Sequence, residues 1–206
     1  MRIAILLALA LGACAPAPAR QVAVERPTIV SLNPCSDAIL TEVAAPGQLL
    51  AISHYSHDPA SSSMDLDTAR RFRATSGTVE EVLALKPDVV VAGTFLPPAT
   101  KSALARLGVR LVELPIAMSV ADSRAQVAKL AALAGNREKG AALDARIVAA
   151  LEAAAPPPGP ALPAVVWQSG GIVAGDATLI ADLLRRTGFA NAAAARGLGQ
   201  ADHLPL

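Results

Sequence analysis

Residues 78–93 read T-V-E-E-V-L-A-L-K-P-D-V-V-V-A-G, and they hold a helix start, a helix stop, a turn and a buried strand. Thr78 is placed to cap a helix, and Glu81, three residues on, to close a capping box. Val79, Val82, Leu83 and Leu85 give that helix an apolar side. Pro87 ends it, because the residue before a proline is pushed out of the helical region. Val89, Val90, Val91 and Ala92 then form an unbroken apolar run, the mark of a parallel strand covered on both faces. Glu80 is left without a local role.

Outward from this stretch the chain alternates strands with helices. Residues 28–32 and 49–53 read as strands, the second entered through the Pro46-Gly47 turn. Between them, 34–43 reads as a helix with Ile39, Leu40 and Val43 on one side. Residues 54–67 read as a polar loop. Residues 99–107 read as a helix ended by Gly108, followed by a strand at 109–114. Such alternation implies a parallel sheet with right-handed crossovers. Two helices follow, at 119–134 and 136–155, the second capped by Asn136 with Leu143, Ile147 and Leu151 along one face. P-P-P-G-P-A-L-P at 156–163 is a stiff linker. After it come a strand at 164–168 and a helix capped by Asp176, with Leu179, Leu183 and Leu184 inward and Gly188 as its stop. The predicted architecture is α/β: two Rossmann-like parallel-sheet lobes joined by a long helix, the second lobe incomplete.

Composition narrows the function classes. With 18 basic and 17 acidic residues and a formal charge of +1, no basic run points to nucleic acid. One tryptophan, one tyrosine and three phenylalanines are too few for a stacking platform. At the N-terminus, Met1-Arg2 precedes an apolar run at 3–11 that is too short to span a bilayer. Leu11-Gly12-Ala13-Cys14 resembles a bacterial lipobox, so 1–13 is read as a signal peptide and Cys14 as the lipidated residue, with an ordinary cleaved signal as the alternative. Residues 14–27 are then a tether, 28–135 an N-terminal lobe, 136–155 a connecting helix and 164–206 a partial second lobe. Cys35 lies in P-C-S-D at a helix start. It reads either as a reactive thiol, favoured as thiolate by the helix end, or more simply as a small packed residue.

Several segments together resemble the periplasmic substrate-binding proteins of ABC transporters for vitamin B12 and iron–siderophores. They are I-V-S-L-N-P at 29–34, A-I-S-H-Y-S-H-D-P at 51–59, the opening stretch, L-A-R-L-G-V-R-L-V-E-L at 104–114 and V-V-W-Q-S-G-G at 165–171. The resemblance implies two lobes around one long helix, with the ligand held between them and passed to a permease and its ATPase. It implies a monomer at the periplasmic face of the cytoplasmic membrane, lipid-anchored or soluble, with no cofactor and no catalysis. It also leads us to expect more than the 44 residues found from 163 to 206, hence a C-terminally truncated second lobe.

Ligands of open α/β sheets sit at the carboxyl ends of strands. The candidate ligand contacts are therefore Asn33, His54, Tyr55, His57, Thr94, Phe95, Trp167 and Gln168. The resemblance puts a ligand-contacting aromatic on Tyr55, whereas Trp167 reads equally as core packing. The resemblance also makes Glu80 the acid that pairs with permease arginines, set against a plain helix-dipole role. At the position before Gly77, where cobalamin-binding relatives tend to carry tryptophan, this chain has Thr75-Ser76. An alternative is a divalent-metal (Zn or Mn) protein of related fold using His54, His57, Asp58 and His203. An enzyme is the weakest reading. The chain lacks G-x-S-x-G and a Walker A loop, and G-L-G-Q-A-D at 197–202 lacks the third glycine of a dinucleotide loop.

Overall fold

A computed structural model describes residues 26–203. The signal-peptide, lipobox and most of the tether readings lie outside them. The N-terminal part is β1 (Ile29–Ser31), α1 (Pro34–Val43), β2 (Leu49–Ser53), α2 (Leu66–Ala69), β3 (Ala74–Thr75), α3 (Val79–Leu85), β4 (Val89–Gly93), α4 (Pro98–Arg106) and β5 (Arg110–Leu114). Two longer helices follow, α5 (Val120–Leu133) and α6 (Arg137–Ala153). The rest is β6 (Leu162–Ala164), β7 (Ile172–Ala174), α7 (Leu179–Arg186), β8 (Phe189–Asn191) and β9 (Ala201–His203).

The first five strands form one parallel sheet in the order β3-β2-β1-β4-β5. β4 lies inside it, paired with β1 and β5, and Val89 to Ala92 are all buried. Its side chains alternate between two cores. Val89 and Val91 pack with Ile29 and Ile52 against Leu40 and Val43 of α1 and Leu130 of α5. Val90 packs with Val30 and Ala51 against Val82 of α3 and Leu104 of α4. Covering both faces of a parallel sheet is what makes the run uniformly apolar instead of alternating.

Thr78 caps α3 as expected, its Oγ1 accepting from the Glu81 N–H at 3.3 Å. The reciprocal half of the capping box does not form. Glu81 Oε2 instead accepts from the Thr75 hydroxyl and the Ser76 N–H, both at 2.7 Å. These bonds hold β3 to α3 and keep the exposed Glu81 carboxyl below its ordinary range. Lys86 does leave the helical region, but into the left-handed one, at φ 50° and ψ 52°, where its N–H closes α3 on the Leu83 carbonyl. Asp88 has a role that the sequence reading missed: its Oδ2 accepts from the Thr28 N–H at 2.8 Å and the Thr28 hydroxyl at 2.7 Å, locking the start of β4 to the start of β1.

Other expectations are corrected. Residues 54–57 form a 3-10 turn, and part of the polar loop folds into α2. Asn136 makes no side-chain cap; its Nδ2 donates to the Val43 carbonyl at 3.1 Å, tying the α5–α6 junction to the end of α1. The face of α6 carrying Leu143, Ile147 and Leu151 is only half-buried, and the contact that matters is Gly140. A Cβ there would sit 2.3 Å from the Ala131 Cβ, so glycine is what lets α5 and α6 approach. The strand expected at 164–168 begins earlier, inside the proline-rich segment, with β6 paired to β8 in parallel. Pro163 is tolerated because β6 is an edge strand. Thr178, not Asp176, caps α7, and Asp176 pairs with Arg185. Of α7, Ala181 is buried while Leu183 remains exposed.

Candidate functional site

In the order β3-β2-β1-β4-β5, chain direction across the sheet switches between β1 and β4. Open α/β sheets bind ligands outside the carboxyl ends at such a switch. A cavity of about 320 Å³ lies there. Asn33, just after β1, and Gly93, Thr94 and Phe95, at the end of β4, form its floor. Leu114 and Pro115 enter from the end of β5, and Gln126 from α5. Leu179 of α7 closes it from the C-terminal part. A second hollow of about 410 Å³ lies between α5, α6 and α7. Its arginines are already spoken for, Arg124 by Asp144 and Arg186 by Asp182, and no strand end opens into it.

The floor is set by local chemistry. Asn33 caps α1, its Oδ1 accepting from the N–H groups of Cys35 at 2.9 Å and Ser36 at 3.4 Å, while its backbone carbonyl accepts from the Asp37 N–H. This cap turns the chain straight from β1 into α1 and leaves Cys35 on the cleft wall. Phe95, 80% exposed, and Ile116, 55% exposed, are apolar residues of the lining that stay open to solvent. Gln126 is 9% exposed, and its Nε2 donates to the Pro115 carbonyl at 2.7 Å, which fixes the turn after β5.

Of the predicted contacts, Asn33, Thr94 and Phe95 line the cavity. His54, Tyr55, His57, Trp167 and Gln168 do not. The 3-10 turn redirects its histidines to the backbone: His54 Nδ1 lies 3.3 Å from the Thr75 carbonyl and His57 Nε2 3.1 Å from the Ala69 carbonyl. Tyr55 stacks on His54 with ring centroids 4.1 Å apart and stays 53% exposed. Trp167 forms an isolated antiparallel bridge with Val173 and is 45% exposed, so it is neither core nor cleft. Among the described residues no three His, Cys, Asp or Glu side chains gather as a metal site. Cys35 is exposed, against the packed-residue reading, with Sγ 3.9 Å from the Ser63 Oγ. Glu80 is exposed on α3 and has no hydrogen-bond or ion-pair partner among the described residues.

One buried acid supports the site from behind. Asp37, in the first turn of α1, is fully buried. Its Oδ2 accepts from the Ser53 N–H at 2.9 Å and the Ser56 hydroxyl at 2.7 Å; its Oδ1 has no partner. Burial pushes the carboxyl from 3.8 up to about 7, with the Ser31 and Ser56 hydroxyls and the Ser53 N–H pulling the other way. The residue pins the end of β2 and the Tyr55 turn to the helix that lines the cleft.

The model of the periplasmic binding protein family matches residues 29–206. The chain belongs to that family. No curated protein sequence matches it. Solved structures show the same fold. The apo haem-binding protein RhuT from Roseiflexus sp. RS-1 aligns with a TM-score of 0.70 at 20% identity, covering 87% of this chain and 71% of that one. A possible iron-binding periplasmic solute-binding protein from Staphylococcus epidermidis aligns at 0.69 and 16%, covering 86% and 70%. The vitamin B12 binding protein BtuF of Vibrio cholerae aligns at 0.64 and 18%, covering 87% and 70%. Among the described residues, no helix of this family member is long and apolar enough to cross a membrane.

Proposed function

We propose that the chain is the extracytoplasmic solute receptor of an ABC importer, holding a metal chelate in the switch-point cleft and handing it to the permease. The candidate ligands are an iron–siderophore, a haem or a cobalamin-type corrinoid. The observation that carries this reading is the cavity itself: the ends of β1, β4 and β5 line it together with α1 and α5, and Leu179 of α7 joins them from the C-terminal part. A cleft lined from two parts of the chain, with apolar walls and a few fixed polar groups, is built to hold a small molecule. The reading assigns no chemistry to the protein. In it, Glu80, exposed in the first turn of α3, is a docking charge for a basic patch on the permease, steering the encounter more than adding affinity.

Calorimetric titration of the purified chain with ferric siderophores, haem and cobalamin tests the reading; heat from at least one is expected, and silence toward all of them refutes it. The anchor is part of the same proposal. Cys14→Ala should shift the protein from the membrane to the soluble fraction, and a wild type already soluble refutes lipidation.

The divalent-metal alternative draws no support from the cleft, to which the H-x-x-H pair at 54–57 contributes nothing.

A further inference from the structure

Among the described residues, the lining of the cleft carries no formal charge. Its polar members are Asn33, Cys35, Ser63, Thr94, Ser123 and Gln126, and no described Asp, Glu, Lys, Arg or His side chain joins them. A buried anion needs a fixed counter-charge or several unspent N–H donors, because the desolvation of an unpaired charge is among the largest unfavourable terms in binding. Helix N-termini are the usual source of such donors, and at α1 and α5, beside this cavity, side chains already take backbone N–H groups. At α1 the side chain of Asn33 takes the Cys35 and Ser36 N–H groups. At α5 the protein supplies its own carboxylates. Asp182 Oδ2 accepts from the Val120 N–H at 2.8 Å, and Asp122 Oδ2 accepts from the Met118 N–H at 3.0 Å, directly beside the cavity residues Ala117 and Ser123. At α4 the cap and the first helical residue, Pro97 and Pro98, have no N–H to give, and the next two, Ala99 and Thr100, do not line the cavity. Lys101, whose ammonium reaches the Thr94 carbonyl at 3.4 Å, is paired with Glu113.

From these observations we infer that the cleft selects an electrically neutral ligand with an apolar outer surface and rejects polyanionic chelates of similar size. The inference rests on the solute-receptor reading and narrows its ligand class. Gln126 contributes orientation: its amide nitrogen is held by Pro115, so it meets a ligand as a preset dipole.

The test compares neutral with anionic chelates on the full chain. The neutral probes are a ferric trihydroxamate and cyanocobalamin; the anionic probes are a ferric tris-catecholate and haem. Binding is read by calorimetry. Occupancy is read independently by the protection of Cys35 from iodoacetamide, scored on the Cys35 peptide by mass spectrometry. At least one neutral probe should bind about a hundredfold more tightly than both anionic ones and should protect Cys35. Ser123→Arg, which sets a cation on the cavity wall, should narrow that ratio by tenfold or more, with circular dichroism confirming that the variant is folded. An anionic probe that binds the wild type as tightly as the neutral ones overturns the inference and leaves the receptor reading standing. Failure of all four to bind or to protect Cys35 overturns both.

Discussion

Replacing Asp37 with asparagine tests the account of how the cleft is supported. In the native fold the carboxyl is buried and its ordinary value of 3.8 is raised to about 7. A raised carboxylate value means that the folded state holds the proton more tightly than the unfolded chain does. Between pH 3.8 and about 7 the folded protein therefore binds more protons, and stability falls as pH rises through that window. Above about 7 the loss is complete and the curve is flat. At about 1.4 kcal/mol per pH unit, the interval from 3.8 to about 7 sets a ceiling of roughly 4 kcal/mol on the loss. Asp37→Asn keeps an oxygen for the Ser53 N–H and the Ser56 hydroxyl but never carries charge. The new amide NH2 takes the place of Oδ1, which has no partner, and leaving that donor buried and unpaired offsets roughly 1–2 kcal/mol of the relief. The variant should match the wild type or fall slightly below it near pH 5, and exceed it by about 1–3 kcal/mol at pH 8. Urea unfolding of both proteins at pH 5, 6, 7 and 8 measures this directly. If the wild type gains stability over the variant as pH rises, the carboxylate is ionised and favourable in the fold, and the reasoning from burial is wrong.

Three further perturbations follow from the packing. Gly140→Ala adds a methyl group where the Ala131 Cβ already stands 2.3 Å away; despite the roughly 1 kcal/mol gain in helix propensity, it should destabilise by about 1–3 kcal/mol, read as a lower urea midpoint. Lys86→Gly relieves a left-handed residue at φ 50° and should stabilise by about 0.5–1 kcal/mol in the same assay; a loss of that size would show that the Lys86 conformation carries no strain. Asp182→Ala removes the acceptor for the Val120 N–H and should cost about 1 kcal/mol, with faster proteolysis ahead of α5. The Val120 N–H, chiefly, holds the Asp182 carboxyl below its ordinary range. Its contribution is therefore present above pH 3.8 and fades as pH falls below it, so wild type and variant should converge in acid.

How much of this was legible in the residues depends on the range of the interactions. The sheet was, because β4 is a buried apolar run and α3 is bounded by Thr78 and Pro87, all local signals. The partnership of Glu81 with Thr75 and Ser76 was not, because a capping box and a link to the preceding strand need the same acid three residues after a threonine. Asn33, Thr94 and Phe95 were readable as strand ends flanking the switch point. Gln126 and Leu179 were not, since they reach the cleft from helices distant in sequence. For Cys35 the signal was present: a residue at the start of the helix that leaves β1 must face the space beyond that strand. The histidine pair does not reach the cavity because the 3-10 turn lays one nitrogen of each ring against the carbonyls of Thr75 and Ala69. The C-terminal part was read least well. Its strands have three residues each, and one lies inside a proline-rich segment, so neither period nor composition marks them.

The link between Thr28 and Asp88 joins residues 60 apart, and every pair in the main sheet is parallel. Such a sheet has no hairpin with which to start. Its central pair, β1 with β4, cannot form until the chain through β4 is free to fold, and closing loops of that size makes folding slow. For a protein that the receptor proposal sends across a membrane, this slowness is useful: the chain stays threadable while it is being moved and gains its core only on the far side. A variant engineered to fold faster, with β1 and β4 brought close in sequence by circular permutation, would for the same reason be exported less well.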